Sequence, residues 1–497
     1  MASGTKNING ESLWARIDAL EAKERAALER RATRRLRWVV DAILPLALTI
    51  TAGVGVLLPL SLPAQARWSL WAFIFAVILW STTKINAAYI ALTAMLVLVV
   101  ARGAAQEKLF DALASDVIWL MIGAFVLGGA VQKTGLARRL TEAVLGRART
   151  VRGTFWLLTT ALIPLTFFIP STSGRAAVAL PVFHSIADAA DDRRITRALA
   201  LLMPTVILVA TVSTLIGAGS HLVANDLLHR ITGQQISFMR WALYGVPFGV
   251  AAGYVSCWMV MRLFLDGERL GRELRVTARA KKKSLSVAEW KTLAVAGAMV
   301  FLWVSESWHG LEIATVAVAG SLALTLPGFG VLNWKDGLKS VSWNLIIFVG
   351  AALVLGQSLI ESGAAKWIID NVFALSGIAD ANSTLVVLLA LAFISLTSHI
   401  YMTSHTARAA ALVPGMLYLA SSLQLNPVAV LFISTVGMDY CLTFPVSSKA
   451  LLMFQELETE TYQPSDLLRL SAVLLIVHLA LIVIFYYGYW RWIGLAL

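Results

Sequence analysis

The sequence predicts an all-α polytopic membrane protein: two inverted-topology repeats, with about 11 transmembrane helices plus two re-entrant hairpins. Three observations carry this. Of 497 residues, 58% are hydrophobic and 14% charged, more apolar surface than a soluble chain of this length can hide. Several apolar runs exceed the roughly 20 residues that span a bilayer. One polar stretch inside an apolar run also occurs twice. Pro170-Ser171-Thr172-Ser173-Gly174-Arg175-Ala176-Ala177 returns as Thr403-Ser404-His405-Thr406-Ala407-Arg408-Ala409-Ala410, and six residues after each arginine comes a proline, Pro181 or Pro414.

Other classes fit poorly. The alternating pattern of roughly ten residues that marks a membrane β-barrel is missing. The net charge is +12, but Lys and Arg gather in particular loops, as cytoplasmic loops require, so nucleic acid is not an implied partner. Cys257 and Cys441 lie in apolar stretches and imply neither a disulfide framework nor a metal cluster. The first residues are polar and charged, the wrong layout for a cleavable leader.

Residues 1–37 are expected to be a cytoplasmic basic N-terminal helix. A thin apolar stripe (Leu13, Ile17, Leu20, Leu28) runs along it, and Arg30, Arg31, Arg34, Arg35 and Arg37 hold it on the cytoplasmic side. An interfacial helix is the expected role, with partner binding as the alternative. The first repeat is 38–264. Spans at 38–62, 68–83, 85–100 and 117–132 lead to a basic loop with Arg138, Arg139, Arg147, Arg149 and Arg152. Residues 155–187 could cross once but break at the polar stretch, and the loop that follows is basic again (Arg193, Arg194, Arg197). A re-entrant hairpin keeps both basic loops on one side. A span at 198–228 is interrupted from Gly217 to His221, and 241–263 closes the repeat.

Residues 265–288 form a basic cytoplasmic linker, with Arg269, Arg272, Arg275, Arg279 and Lys281 to Lys283. The second repeat, 289–497, follows the same plan. Its spans are at 289–304, 313–326 and 341–359, its hairpin at 384–420, its broken span at 428–454 and its last span at 467–490. Val131-Gln132-Lys133-Thr134-Gly135 answers to Leu359-Ile360-Glu361-Ser362-Gly363, and Gly128 to Gly356. Counting spans puts the two hairpins on opposite sides. Trp68, Tyr487, Trp490 and Trp492 fall at span ends and read as interfacial anchors.

The doubled motif, the hairpins and Lys133-Thr134-Gly135-Leu136-Ala137 resemble the divalent-anion:sodium symporter (DASS) family over about residues 38–490. The resemblance implies two inverted repeats with hairpin tips reading Ser-Asn-Thr, a homodimer, and elevator-like movement of di- and tricarboxylates or sulfate. Here the tips read Ser171-Thr172-Ser173 and Ser404-His405-Thr406. The family's sodium-binding stretches correspond to Ser220–Asn225 and Pro445–Lys449, without the expected Thr-Pro-Pro-Asn. No metal ligand is assigned in this chain, and Arg175 fits the family's sodium-independent exchanger branch better.

A mid-membrane dianion needs donors and positive field, and a helix starting at a hairpin tip offers both. Ser171, Thr172, Ser173, Ser404, His405 and Thr406 are therefore the expected substrate-binding residues; helix capping is the plainer role for such hydroxyls. Arg175, Arg408, Lys449, His221, Gly219 and Ser220 are candidates for charge compensation or support. The arginines could grip a carboxylate or pair with an acid such as Asp439. Lys449 could line the cavity or snorkel. His184 and His399 read as packed or solvated.

The expected function is secondary active transport of small divalent organic anions, as a sodium-independent dicarboxylate exchanger with an elevator mechanism. A sodium- or proton-coupled dicarboxylate or sulfate symporter, with protons passing through His405 and Asp439, is one alternative. An anion channel on the same fold is another. Without a concentrated nucleophile–base or metal-ligand cluster, an enzyme is not expected. No cofactor is implied. The expected partners are the anion, the lipid bilayer and a second copy of the chain, in a bacterial inner membrane with the N-terminus cytoplasmic.

Overall fold

A helix that is apolar on every side has no face for water, so its backbone polar groups must be satisfied within itself. Chains of this kind fold as bundles of such helices. A computed structural model describes residues 43–57, 62–145, 148–274, 284–367, 383–457 and 461–497. The expected N-terminal helix and the most basic part of the 265–288 linker lie outside the described residues. Among the described residues, seven helices are long and apolar enough to cross a membrane, and five shorter apolar helices accompany them. Several expected spans fall on the shorter helices, among them Ala87–Val100, Ile313–Thr325 and Pro427–Asp439, so the long helices are fewer than the predicted spans.

The main helices are α1 (Leu44–Leu57), α2 (Ala64–Thr82), α3 (Ala87–Val100), α4 (Asp116–Thr134), α5 (Leu136–Leu145), α6 (Val151–Leu162), α7 (Thr172–Ala190), α8 (Arg193–Val209), α9 (Gly219–Thr232) and α10 (Phe238–Phe264). After them come α11 (Val287–Val304), α12 (Ile313–Thr325), α13 (Trp343–Glu361), α14 (Thr384–Tyr401), α15 (His405–Ser422), α16 (Pro427–Asp439), α17 (Lys449–Gln455) and α18 (Pro464–Gly488).

The two halves repeat element by element. Helix α4 ends at Gly135 and α13 is followed by Gly363, both with φ in the left-handed region, at +73° and +78°. Glycine takes that conformation without a Cβ clash, which is why the chain places it at this kind of helix end. Two helices joined through a polar stretch follow in each half, α6 and α7 in the first and α14 and α15 in the second. Each second arm carries an internal proline, Pro181 or Pro414. Next comes a broken span, α8–α9 or α16–α17, and then a long closing helix, α10 or α18.

Packing is exchanged between the halves. Helix α12 lies on α4, as α3 lies on α13; α9 packs on α15, as α17 packs on α7; α17 also touches α8, as α9 touches α16. A twofold relation between the halves gives this reciprocal pattern. The core follows the broken spans: α8 is buried almost throughout, from Ile195 to Val209, and so is α16 from Ala429 to Asp439.

Two details fix the first half. Trp241 of α10 is fully buried and donates its Nε1–H to the Val212 carbonyl in the break, 2.9 Å away. Gly245, one turn on, has no Cβ because that same carbonyl would lie 2.1 Å from it. Both ends of the α6–α7 pair are also tied to the segment after α10. The Val151 amide donates to the Arg272 carbonyl and the Leu274 amide to the Arg149 carbonyl. Asp192, at the N-cap of α8, holds Arg269 at 3.1 Å. Burial pushes the Asp192 carboxyl up, but the Ile195 and Arg194 amides and Arg269 outweigh it, and its pKa falls below the usual carboxylate value.

Trp490 departs from the sequence reading. It is not an interfacial anchor but is fully buried, donating to the Tyr244 carbonyl at 3.0 Å and packed against Phe248 and Phe432. The chain turns back after α18 and carries this ring inward, leaving Trp492 exposed and Tyr487 partly so.

Gly245→Ala should push α10 off the first break and cost about 1–3 kcal/mol, read as a lowered Tm of the protein in detergent. Gly297→Ala, where a Cβ meets open space, should be neutral or slightly stabilising. Asp192 has a depressed folded pKa, so its contribution is present above the ordinary carboxylate pKa and lost as pH falls through the folded value. Asp192→Asn keeps the cap but should remove part of the Tm loss on acidification below about pH 4, an effect under about 1 kcal/mol.

Candidate functional site

Both hairpin tips are built the same way. Ser171 is extended (φ −141°), and its Oγ accepts from the Gly174 amide at the start of α7, 3.2 Å away. Ser404 accepts from the Ala407 amide at the start of α15, at 3.3 Å. The first serine of each motif is therefore an N-cap, the plainer of the two roles open to it. Ser171 and Ser173 share a hydrogen bond of 3.0 Å. Ser171, Thr172, Ser173, Ser404 and His405 are half-buried, and Thr406 is buried. The tips thus present hydroxyls beside a helix N-terminus, where amides lack intrahelical partners.

Each tip is followed by an arginine that is 0% exposed. Among the described residues, neither is bonded to a carboxylate. Arg175 Nη2 donates to Thr211 Oγ1 at 3.0 Å and to the Gly217 carbonyl at 2.9 Å, both in the α8–α9 break. Arg408 Nη2 reaches Cys441 Sγ at 2.8 Å, in the α16–α17 break. The repeat thus extends to the bonding: each tip arginine grips the interrupted span that follows it. Among the described residues, Nε and Nη1 of both arginines are buried without a hydrogen-bond partner. Such groups are costly unless something compensates them.

The breaks are joined to one another. His221, the third residue of α9, places Nε2 2.8 Å from Oδ2 of Asp439, the last residue of α16. The Nδ1 of His221 is 3.0 Å from the Thr214 carbonyl, and its ring lies against Trp241, centroids 5.0 Å apart. His405 Nε2 is 2.9 Å from Cys441 Sγ. From tip to tip the order is Arg175, first break, His221, Asp439, Cys441, then His405 and Arg408. Behind Asp439, His399 meets Thr443 at 2.7 Å, Thr443 meets Ser471 at 2.7 Å, and Tyr440 donates to the Ser471 carbonyl.

The sequence-predicted residues divide accordingly. Arg175, His221, His405 and Arg408 belong to one bonded group. Asp439 joins it as the partner of His221, not of either arginine. His399 is buried and hydrogen-bonded. Ser220 is buried and packs next to His221, while a Cβ on Gly219 would meet the Leu345 side chain at 2.9 Å. Lys449 is exposed at the start of α17, outside the bonded group. His184 is half-buried beside Phe183. Thr211 and Cys441 were not singled out from sequence. Their position just after a span's last apolar turn, with glycine close by, is the signal that marks them.

A bundle of broken apolar helices with two capped tips converging on buried cations defines an integral-membrane transporter. The profile of the sodium:sulfate symporter transmembrane region matches residues 40–496, and the chain belongs to that family. The citrate/succinate antiporter of Escherichia coli is 22% identical over 391 residues, covering 74% of this chain and 77% of that one. A sodium-dependent dicarboxylate transporter of Staphylococcus saprophyticus is 22% identical over 415 residues, covering 76% and 78%. The fold is also that of MtrF of Neisseria gonorrhoeae, at a TM-score of 0.52 and 13% identity, over 91% of this chain and 97% of that one. The family and the fold neighbour are transporters, not enzymes.

The two arginines should respond differently to neutralisation. Arg408→Met removes a buried charge whose one bonded partner is a weak acceptor, and should leave stability unchanged or raise it by about 1–4 kcal/mol. Arg175→Met strips the Gly217 carbonyl of its donor and should cost about 1–3 kcal/mol. Thermal unfolding in detergent checks both.

Proposed function

We propose that the protein is a sodium-independent exchanger of dicarboxylates, binding the dianion between the hairpin tips and carrying it by an elevator-type movement as a homodimer. The observation that carries this is the pair of fully buried tip arginines, neither bonded to a carboxylate among the described residues. Their charge is fixed, because a guanidinium does not deprotonate under working conditions. A symporter brings positive charge to its anion with sodium; here covalently attached cations are available for that task. They are supported by Ser171, Thr172, Ser173, Ser404, His405, Thr406 and the helix starts.

Fixed charge also favours exchange over net uptake. Carrying two uncompensated cations through the low-dielectric core costs several kcal/mol or more. With a dianion bound, the moving group is close to neutral. The loaded carrier crosses easily and the empty one does not, so each crossing needs an anion. The replacement of asparagine by Thr172 and His405 agrees with this, since it removes two amide oxygens suited to a hard cation. The bacterial relatives support placement in an inner membrane.

Labelled succinate should enter proteoliposomes only when unlabelled succinate is trapped inside, with no stimulation by sodium. Uptake driven by sodium into liposomes without internal anion would overturn the exchange reading. His405→Asn, which restores the amide, should leave exchange sodium-independent if the arginines supply the charge, and should change the succinate KM by about tenfold or less.

A further inference from the structure

The contact between His221 and Asp439 cannot exist without a proton in it. The Thr214 carbonyl only accepts, so the Nδ1 of His221, 3.0 Å away, carries a hydrogen. The proton state of Nε2 is then decided by its other neighbour, Asp439 Oδ2 at 2.8 Å. A neutral ring would turn a lone pair toward a carboxylate at that distance, which is repulsive. Either His221 is an imidazolium facing Asp439 as carboxylate, or Asp439 is a carboxylic acid facing a neutral ring. Both descriptions contain one proton between Nε2 and Oδ2, and both give the pair a net charge of zero.

The surroundings make that proton consequential. Asp439 Oδ1 is buried with no hydrogen-bond partner among the described residues, so the carboxylate is held at one oxygen only. Around the pair lie Arg175 of α7, which feels the charge of Asp439, Cys441 beside Asp439, and the Trp241 ring of α10; His405 of α15 lies near His221, with Arg408 of α15 and His399 of α14 around it in turn. Asp439 is the one acid in this group. With the proton present, the two arginines leave the group at +2, the charge that balances a dianion. Without it, the group falls to +1.

We propose that the His221–Asp439 pair is a proton-binding site, loaded from water and released to water, and that its proton is taken up together with a dianion. The second clause rests on the dicarboxylate reading above; the first does not. Binding an anion beside the pair favours the protonated form, and by linkage the proton favours the anion to the same extent. In one-for-one exchange of dianions the proton rides in both directions and cancels. In exchange of anions of unequal charge it moves net, keeping each loaded carrier close to neutral. No electron or bond change beyond N–H and O–H is involved.

The pair also bridges the two broken spans, α9 at its start and α16 at its end. Losing the proton sets a lone pair against the carboxylate and loosens that bridge. Protonation and closure of the two breaks on one another are therefore tied together.

The test has two arms. In the first, the full-length protein with 15N-labelled histidine is titrated from about pH 5 to about pH 9, without anion, and the His221 ring nitrogens are assigned by their loss in His221→Gln. We expect one Nε2 transition that is absent in Asp439→Asn. A His221 signal that stays constant across the range, or one unchanged by Asp439→Asn, overturns the site.

In the second arm, succinate and sulfate binding are measured above about pH 7, where both are already dianions. Affinity for whichever binds should fall by up to about tenfold per pH unit above the pair's transition, and the anion should move the transition to higher pH. A flat affinity with a titrating pair overturns the coupling. If neither anion binds while the pair still titrates, the dicarboxylate reading fails and the proton site stands.

Discussion

The structure is organised around two buried guanidinium groups, one bonded to unwound backbone and the other to a side chain. A helix interrupted at membrane depth exposes carbonyls that hydrocarbon cannot satisfy. Arg175 supplies the donor for the Gly217 carbonyl, and Arg408 occupies the equivalent place beside Cys441. Without the Arg175 bond the first break would be expensive, and without the breaks neither arginine would have its buried partner. The tips are located by the same contacts, because each arginine sits within the first turn of the helix that its tip begins. Capping by Ser171 and Ser404 then sets the direction of that turn.

Stability and function pull apart at this point. A carbonyl on one nitrogen does not compensate a whole guanidinium, and in each arginine two nitrogens remain without partners among the described residues. The fold carries that cost across two symmetric positions, and the surrounding helices offset it by close packing. Trp241, Phe432 and Trp490 pack edge to face in a fully buried aromatic group next to the breaks. The electrostatic tension is thus confined to a small centre inside a close-packed shell.

Much of this was legible in the sequence. The polar stretch at 170–177 and its echo at 403–410 located both tips, since small hydroxyl residues in apolar surroundings have few other uses. Gly135 and Gly363 matched because a left-handed helix end needs glycine. What the sequence withheld was partner choice. Asp439 could have paired with either arginine; geometry gives it to His221, 218 positions away. Cys441 looked like a packed cysteine because its neighbours are apolar, and its role follows only once the break brings it beside Arg408. Trp490 misled because aromatic residues at a span's end usually face the interface, whereas here the chain folds back and buries the ring.

The exchanged packing of the halves bears on how the protein is made. The first half leaves the ribosome with α4, α7 and α8 lacking the helices α12 and α17 that cover them. Arg175 is then already in the chain, while Asp439, the acid nearest it in the finished site, is still to be synthesised. A membrane segment with a buried cation and no counter-charge is a poor resident of lipid. A truncated chain thus lacks helices that enclose this region, whereas in the finished protein Arg175 is fully buried.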